Sequence, residues 1–508
     1  MSTTPEHELA RLAEARDGAA LAEEVRRLGH QAVELIAAYL AGVEAGPVSD
    51  PSDPDALEAA FSGPLPEAPA LAAGVLDRIR RDVVPHSMNV THPRYFGLMN
   101  PAPTVMGIFA DAVASALNQN CAAWLHAPAA THVEKQVIRW LTDAAGYGAE
   151  AFGILLSGGS AANVVGLHLA RNLRGPAGLR DGGLSLASGP LTAYVSDQMH
   201  YSFFKAADML GLGRDGLRRV PARGDLRADV EAMARRIAAD RAAGAVPVAV
   251  IGIAGTTASG VIDPLPELAD LAARERVWFH VDAAYAGALL LSSQRGKLGG
   301  IERADSITLD PHKWLYIPND AGAILVRRGP DLRSVYGTEA GYLREQIEGG
   351  ARVNFFQYGP EGSRRFRALK IWASLTHAGA ATYRAWIDHD LEMASYLEEH
   401  ARRSEDLELM APRDTAIVCL RYAPPSAVAP VADQAGAARQ DARLDAIQSS
   451  IQERIQREGK AWLSTVVLGG RRALRANIEN YRTRREDVDL LLALIRRHGA
   501  EAAADVAT

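Results

Sequence analysis

Five short apolar runs set among helical stretches constrain the fold of this chain more than any other feature. The runs are Gly153–Leu156, Leu191–Val195, Val246–Ile253, Val277–Val281 and Ala323–Val326. Around and between them, Gln136–Ala145, Ala161–Leu173, Leu226–Ala243 and Leu265–Arg274 read as helices. Strands that are apolar on both faces are covered on both sides, and strands joined through helices run parallel. The sequence therefore predicts an α/β fold over residues 91–385, a mostly parallel central sheet with helices on both faces.

The flanks read differently. Residues 1–90 carry helical periodicity at Glu8–Leu28 and Gln31–Val43, a turn at Pro47–Pro54, and a further helix near Ala70–Val83. Their apolar residues are too sparse for a core of their own, so they are expected to pack on a partner subunit. Residues 386–508 read as a small C-terminal α/β unit with a helix at Trp386–Ser404, a strand at Thr415–Arg421 and a helix after Thr483. Pro424–Gln440 is expected to be a mobile surface loop and Gly499–Thr508 a frayed tail.

Composition narrows the function classes. The net charge of −6 over 508 residues gives no footprint for nucleic acid or an anionic membrane surface. Two cysteines, Cys121 and Cys419, make neither a disulfide framework nor a metal set, which fits a reducing, cytoplasmic setting. Residues Met1 to Glu8 lack the order of a secretory leader, and no apolar stretch reaches the ~18 residues that span a bilayer.

The chemistry concentrates on Lys313. It lies in Ser306-Ile-Thr-Leu-Asp-Pro-His-Lys313-Trp314, about thirty residues after His280-Val-Asp282-Ala-Ala-Tyr-Ala-Gly287. A lysine amine can form a Schiff base with an aldehyde. A carboxylate such as Asp282 can hold the proton of a pyridine nitrogen. Together they point to pyridoxal 5'-phosphate. Ser157-Gly-Gly159-Ser160-Ala-Ala-Asn163 follows one apolar run and opens a helix, where backbone N–H groups and the helix N-terminus suit a phosphate. His200, in Ser196-Asp-Gln-Met-His200-Tyr-Ser202, could lie on the cofactor ring; the plainer reading is a buried histidine satisfied by backbone. Gly255-Thr256-Thr257-Ala-Ser-Gly260 ends the run before Asp282 and could bring a hydroxyl to the ring. Each group stands at the carboxyl end of a strand, where open α/β sheets bind ligands. Gly211-Leu-Gly213-Arg-Asp-Gly216 matches a dinucleotide fingerprint, but it follows a helix and precedes a strand, so it is no nucleotide site.

The set resembles the pyridoxal-phosphate-dependent group II amino-acid decarboxylases of fold type I, and among them the aromatic-L-amino-acid decarboxylases. The resemblance runs from about residue 20 to about 490 and includes His92-Pro-Arg-Tyr-Phe96, Ala127-Pro-Ala-Ala130, Val281–Gly287, Pro311-His-Lys-Trp314 and Arg364–Trp372. It implies Lys313 as the Schiff-base lysine, Asp282 as the pyridinium partner and His200 as the ring-stacking histidine. It places Thr257, Ala284 and His312 beside the cofactor, and Gly159 and Ser160 at its phosphate. It makes Tyr342, in Gly337-Thr-Glu-Ala-Gly-Tyr342-Leu343, the catalytic-loop tyrosine that returns a proton after carbon dioxide leaves, and Gly349-Gly350 a hinge. It also implies an intimate homodimer with active sites at the interface, acting on a small amino acid.

The chain departs from the family at several positions. Leu98-Met-Asn100 stands where the aromatic decarboxylases carry an aromatic-rich pocket stretch, and Ala122 where they place another aromatic. Asp310 replaces an asparagine near the phosphate. A carboxylate there would repel the phosphate, so Asp310 is expected to turn away or pair elsewhere. Ser363 stands where plant relatives use serine for phenolic substrates. The expected reaction is decarboxylation of an aromatic L-amino acid to the amine. Oxidative decarboxylation to an aldehyde, a non-aromatic substrate, carbon–sulfur or carbon–carbon lysis, and a catalytically silent homologue remain as alternatives.

Overall fold

Strands form where neighbouring residues are buried on opposite faces. In chain order they are β1 (Tyr95–Phe96), β2 (Phe152–Leu156), β3 (Leu191–Ser196), β4 (Leu217–Val220), β5 (Val246–Ile253), β6 (Trp278–Asp282), β7 (Ser306–Leu309) and β8 (Gly322–Val326). Four more follow, β9 (Leu407–Leu409), β10 (Ile417–Tyr422), β11 (Trp462–Leu468) and β12 (Arg471–Asn477). The computed structural model describes residues 4–14, 18–50, 52–338, 351–428 and 433–505.

Seven strands build the central sheet in the order β2-β8-β7-β6-β5-β3-β4. From β7 to β4 every pairing is parallel, and β8 alone runs against both of its neighbours. The sheet is thus mostly parallel, as the apolar runs predict. Its strands feed two cores. Leu155, Val250 and Phe279 face one, packed with Leu268 and Leu271 of the helix Leu265–Glu275. Their neighbours Ile154, Ile251 and Trp278 face the other, packed with Val165 and Leu169 of the helix Gly159–Arg174.

A second sheet has the order β1-β11-β12-β10-β9, with β1 parallel to β11. The helices Gln434–Glu458 and Arg485–Asp505 bury Ile447, Ile451, Leu491 and Ile495 in the core it shares with one face of the central sheet. Arg475 on β12 fixes the two sheets together near the ligand end. It donates to Gly97 O at 2.7 Å and to Thr257 O at 3.0 Å.

Several expectations need correction. A single helix, Gly18–Gly42, replaces the two read at Glu8–Leu28 and Gln31–Val43, and a shorter one precedes it at Pro5–Glu14. One internal glycine, Gly29, costs a helix only about 1 kcal/mol. The turn at Pro47–Pro54 leads into an unforeseen helix, Pro54–Phe61, whose Asp53 side chain caps the Asp55 N–H. The long helix begins at Ala368, not Trp386, and is interrupted at Gly379, where φ is 75°. The stretch expected as a loop, Pro424–Gln440, contains a helix start, with Asp433 capping Gly436 N–H and Gln434 opening the helix. The expected frayed tail is helical through Asp505, because Ala502 is buried and Arg454 pairs with Glu501 and Asp505.

Candidate active site

Five of the six strands that run in one direction, β2, β3, β5, β6 and β7, end on one side of the sheet at the site, and the residues just past those ends meet there. They enclose a cavity of about 350 Å³ lined by Gly158, Gly159, Ser160, His200, Thr257, Asp282, Ala284, Asp310, His312 and Lys313, among others. The structure brings together every residue assigned from the sequence to catalysis or to the cofactor except Tyr342, whereas of the substrate-pocket positions Leu98, Met99, Asn100, Ala122 and Ser363 only Met99 lines the cavity. Tyr342 and the Gly349-Gly350 pair lie outside the described residues. Ser363 does not line this cavity; it sits with Ala114, Asn118 and Arg365 in a separate surface depression.

Asp282 closes the carboxyl end of β6 and is buried. Its Oδ1 accepts the Ala284 N–H at 3.1 Å, and its Oδ2 accepts Asn163 Nδ2 at 2.9 Å. Asn163 is itself held. Its Oδ1 accepts Thr308 Oγ1 at 2.8 Å and lies 3.0 Å from His280 Nε2. Burial drives the His280 pKa down to about 4, so its ring is neutral. Because His280 donates from Nε2, its Nδ1 accepts from Ser306 Oγ at 2.8 Å, and Ser306 in turn accepts Trp278 Nε1 at 2.7 Å. A hydrogen-bonded chain therefore runs from Trp278 through the sheet to Asp282. The sequence reading gave Asn163, His280 and Ser306 no role. Asn163 stands inside the glycine-rich motif, but its partner on another strand carries no local sequence signal.

His200 follows β3. Its Nδ1 accepts the Ser202 N–H at 3.3 Å and lies 2.9 Å from Ser202 Oγ, which accepts Asn163 Nδ2 at 3.2 Å. Burial lowers the His200 pKa, with Asp282 opposing the shift. Its neutral ring therefore carries its proton on Nε2, free to donate. The plainer reading, a histidine satisfied by backbone, describes only its Nδ1.

Lys313 Nζ lies 3.1 Å from Asp310 Oδ2. Burial lowers the ammonium's pKa, but Asp310 and Asp282 outweigh it and the net shift is upward. Asp310 thus pairs elsewhere, as expected, but it does not turn away: it lines the cavity. His312 Nδ1 accepts the Ala321 N–H at 2.9 Å, and burial lowers its pKa. Its Nε2 faces Asp310 Oδ2 at 3.7 Å.

The glycines permit a close approach. A Cβ on Gly158 would stand 3.0 Å from His312 Cε1. One on Gly159 would stand 2.7 Å from Asp310 Oδ2 and 3.1 Å from Ala284 Cβ. Gly159 opens the helix Gly159–Arg174, whose N-terminal amides and dipole favour an anion.

The rear wall is stacked and hydrogen-bonded. Tyr285 stacks on Trp314 at 5.0 Å between ring centroids, and its hydroxyl donates to Asn477 Oδ1 at 2.8 Å. Asn477 Nδ2 donates to Glu479 Oε2 at 2.9 Å. Trp314 Nε1 and Tyr316 OH both donate to Asp390 Oδ2, at 2.9 and 2.6 Å. Burial raises both acids, Asp390 and Glu479, to about 8.

Comparison with known proteins agrees with this geometry. The pyridoxal-dependent decarboxylase conserved domain matches residues 54–423. An aromatic-L-amino-acid decarboxylase of Bacillus atrophaeus is 34% identical over 480 residues, 94% of this chain and 95% of that protein. A phenylacetaldehyde synthase of Petunia hybrida is 30% identical over 407 residues, 78% of this chain and 80% of that protein. The solved structure of Oryza sativa TDC with PLP and tryptamine superimposes with a TM-score of 0.85 at 30% identity, covering 94% of this chain and 98% of that one. With its fold, its lysine site and these relatives in agreement, the chain belongs to the pyridoxal-dependent decarboxylase family, the carboxy-lyases of amino acids that use pyridoxal phosphate.

Proposed function

We propose that this enzyme removes the α-carboxylate of an aromatic L-amino acid and releases the amine. One observation carries the reading: a single cavity joins an amine at Lys313, an acid at Asp282, a neutral imidazole at His200 and a glycine-floored helix N-terminus. The cavity fits pyridoxal phosphate, because a side chain at Gly158 or Gly159 would fill the space beside the helix N-terminus that a phosphate needs. When bound, that group supplies an aldehyde carbon for amine exchange and a ring that accepts the electron pair left by departing carbon dioxide.

The chain's own residues divide the remaining work. Lys313 Nζ is the amine for the cofactor aldehyde. Asp282, fixed by Asn163 and the Ala284 N–H, holds a proton on the pyridine nitrogen. Gly159, Ser160 and the helix N-terminus hold phosphate. Thr257, Ala284 and His312 flank the ring. His200 would cover it and offer its Nε2–H to the substrate carboxylate, orienting the bond to be broken. Ile253 and Tyr285 are buried and apolar, so on their side the free carboxylate is poorly solvated before it departs. Tyr342 or His200 returns a proton to the substrate carbon.

The aromatic assignment rests on the walls. Met99, Ile253 and Tyr285 line the cavity, and no arginine among the described residues does so to receive a distal carboxylate. Amine, carbon dioxide and peroxide should be measured together for the common amino acids, dopa and hydroxytryptophan. Amine from an aromatic substrate without peroxide supports the proposal. Peroxide and aldehyde in equal yield would favour the outcome named for the Petunia relative, and turnover confined to non-aromatic substrates would refute the aromatic assignment. Tyr342→Phe should shift product from amine towards aldehyde.

We further infer a homodimer, with residues 1–90 at the interface, 91–385 as the cofactor domain and 386–508 as the small domain. Val105, Phe109, Val113 and Leu117 form an exposed apolar stripe along the helix Val105–Leu117. The helices Pro54–Phe61 and Ala72–Arg78 bury none of their residues within one chain. Sedimentation at micromolar concentration should give a dimer, and a monomer with full activity would contradict the assignment. No helix among the described residues is long and apolar enough to cross a membrane. Two buried, unpaired cysteines suit the proposed cytoplasmic setting.

A further inference from the structure

We propose that Asp310 stands in for the cofactor's phosphate in the unloaded chain and competes with it, so that this residue sets how much the phosphate contributes to cofactor affinity. The inference rests on the site reading above.

Three observations place the Asp310 carboxylate in the cradle. Its Oδ2 is 3.1 Å from Lys313 Nζ. The same oxygen is 2.7 Å from where a Cβ on Gly159 would stand, so it lies against the first turn of a 16-residue helix. The residue is 3% exposed and lines the cavity. Asp310 Oδ1 has no hydrogen-bond partner although it is buried. A buried carboxylate oxygen left without a donor is uncommon and calls for an account. Here the account is that the acid fills a place built for a larger anion, near a helix N-terminus and the site's lysine, without matching its geometry.

The neighbouring charges sharpen the conflict. Lys313 is the ammonium facing Asp310, and it also feels Asp282. His312 Nε2 is 3.7 Å from Asp310 Oδ2, but burial keeps that imidazole neutral. His200, across the cavity, is neutral for the same reason. A phosphate docking at Gly159 therefore meets a fixed carboxylate whose paired cation, Lys313, is the amine assigned to the cofactor aldehyde. At such separations like charges repel strongly even at the effective permittivity of a protein surface. Pyridoxal and pyridoxal phosphate both draw Lys313 from Asp310 through the aldehyde they share, but only the phosphorylated form also brings an anion against the Asp310 carboxylate.

The test compares dissociation constants of pyridoxal phosphate and pyridoxal for the unsubstituted protein, Asp310→Asn and Asp310→Ala, read by quenching of tryptophan fluorescence. Asp310→Asn keeps the side chain's shape and Asp310→Ala removes it, so a folding defect in one, checked by circular dichroism, leaves the other readable. Both variants should raise the preference for the phosphorylated form by about tenfold. An unchanged or reduced preference overturns the proposal. So does a rise confined to Asp310→Asn, because that would report a new amide donor rather than a lost charge. If the unsubstituted protein binds neither compound, the site reading fails along with the inference; if it binds both and the variants leave the preference unchanged, the inference alone fails.

Discussion

Asn163 Nδ2 lies 2.9 Å from Asp282 Oδ2, so an amide one turn into the helix Gly159–Arg174 aims the carboxylate at the end of β6. The same helix presents the proposed phosphate cradle at its first residue. One element would thus set the distance between the groups proposed to hold the two ends of the cofactor.

Asn163→Ala should weaken binding of pyridoxal phosphate by about 10- to 100-fold, the range for a buried hydrogen bond to a charged group. Fluorescence titration measures this directly. Full affinity in the variant would show that Asp282 needs no support from the helix.

Gly159→Ala should close the cradle. The new methyl carbon would meet Asp310 Oδ2 at 2.7 Å and Ala284 Cβ at 3.1 Å. Cofactor affinity should fall at least about tenfold, more for the phosphorylated form than for pyridoxal, while the far-ultraviolet circular dichroism stays unchanged. Equal losses for both forms would move the phosphate elsewhere.

Glu134 and Arg364 form a buried pair, each side chain 2% exposed. Arg364 also donates to Cys121 O at 3.0 Å and Leu155 O at 2.9 Å, tying the segment before Trp124 to β2. Glu134→Ala strands a buried guanidinium and should cost about 3–5 kcal/mol in urea unfolding. A loss below about 1 kcal/mol, as for an exposed pair, would contradict the burial.

Stability should fall towards alkaline pH. Asp390 and Glu479 titrate at about 8 in the folded chain, against about 4 when unfolded. The folded chain therefore holds more protons across that window. The stability from keeping these acids neutral is fully present below about 4 and is lost as pH rises through about 8. Melting temperatures taken from pH 6 to 9 should decline, and Asp390→Asn with Glu479→Gln should flatten the decline. An unaltered slope in the double variant would remove these two acids as its cause.

Much of the site was legible because its residues follow strands. Asp282, His200, Thr257 and Gly159 each come within a few residues of an apolar run read from the sequence, whereas Lys313 follows β7, Ser306–Leu309, a strand not among those runs, and was found by its motif. What supports them was not legible. His280 reaches Asn163 across 117 residues, and Asn477 reaches Tyr285 across 192. Such pairings depend on sheet order, which local periodicity does not encode. The helix boundaries failed for a related reason. Gly29 looks like a stop, yet a chain that keeps its helical hydrogen bonds can pass through it, and Asp433 became a cap only because the residues after it continue as a buried helix.

With Asp282 at the ring nitrogen, as proposed, the line of contacts from Trp278 to Asp282 would make the interior of the sheet part of the cofactor's electronic environment. A substitution at Ser306, remote from solvent and from any substrate, would alter how firmly the ring nitrogen keeps its proton and hence the colour of the loaded protein. On that assignment the hue of the holoprotein would serve as a gauge of how well its hidden centre is assembled.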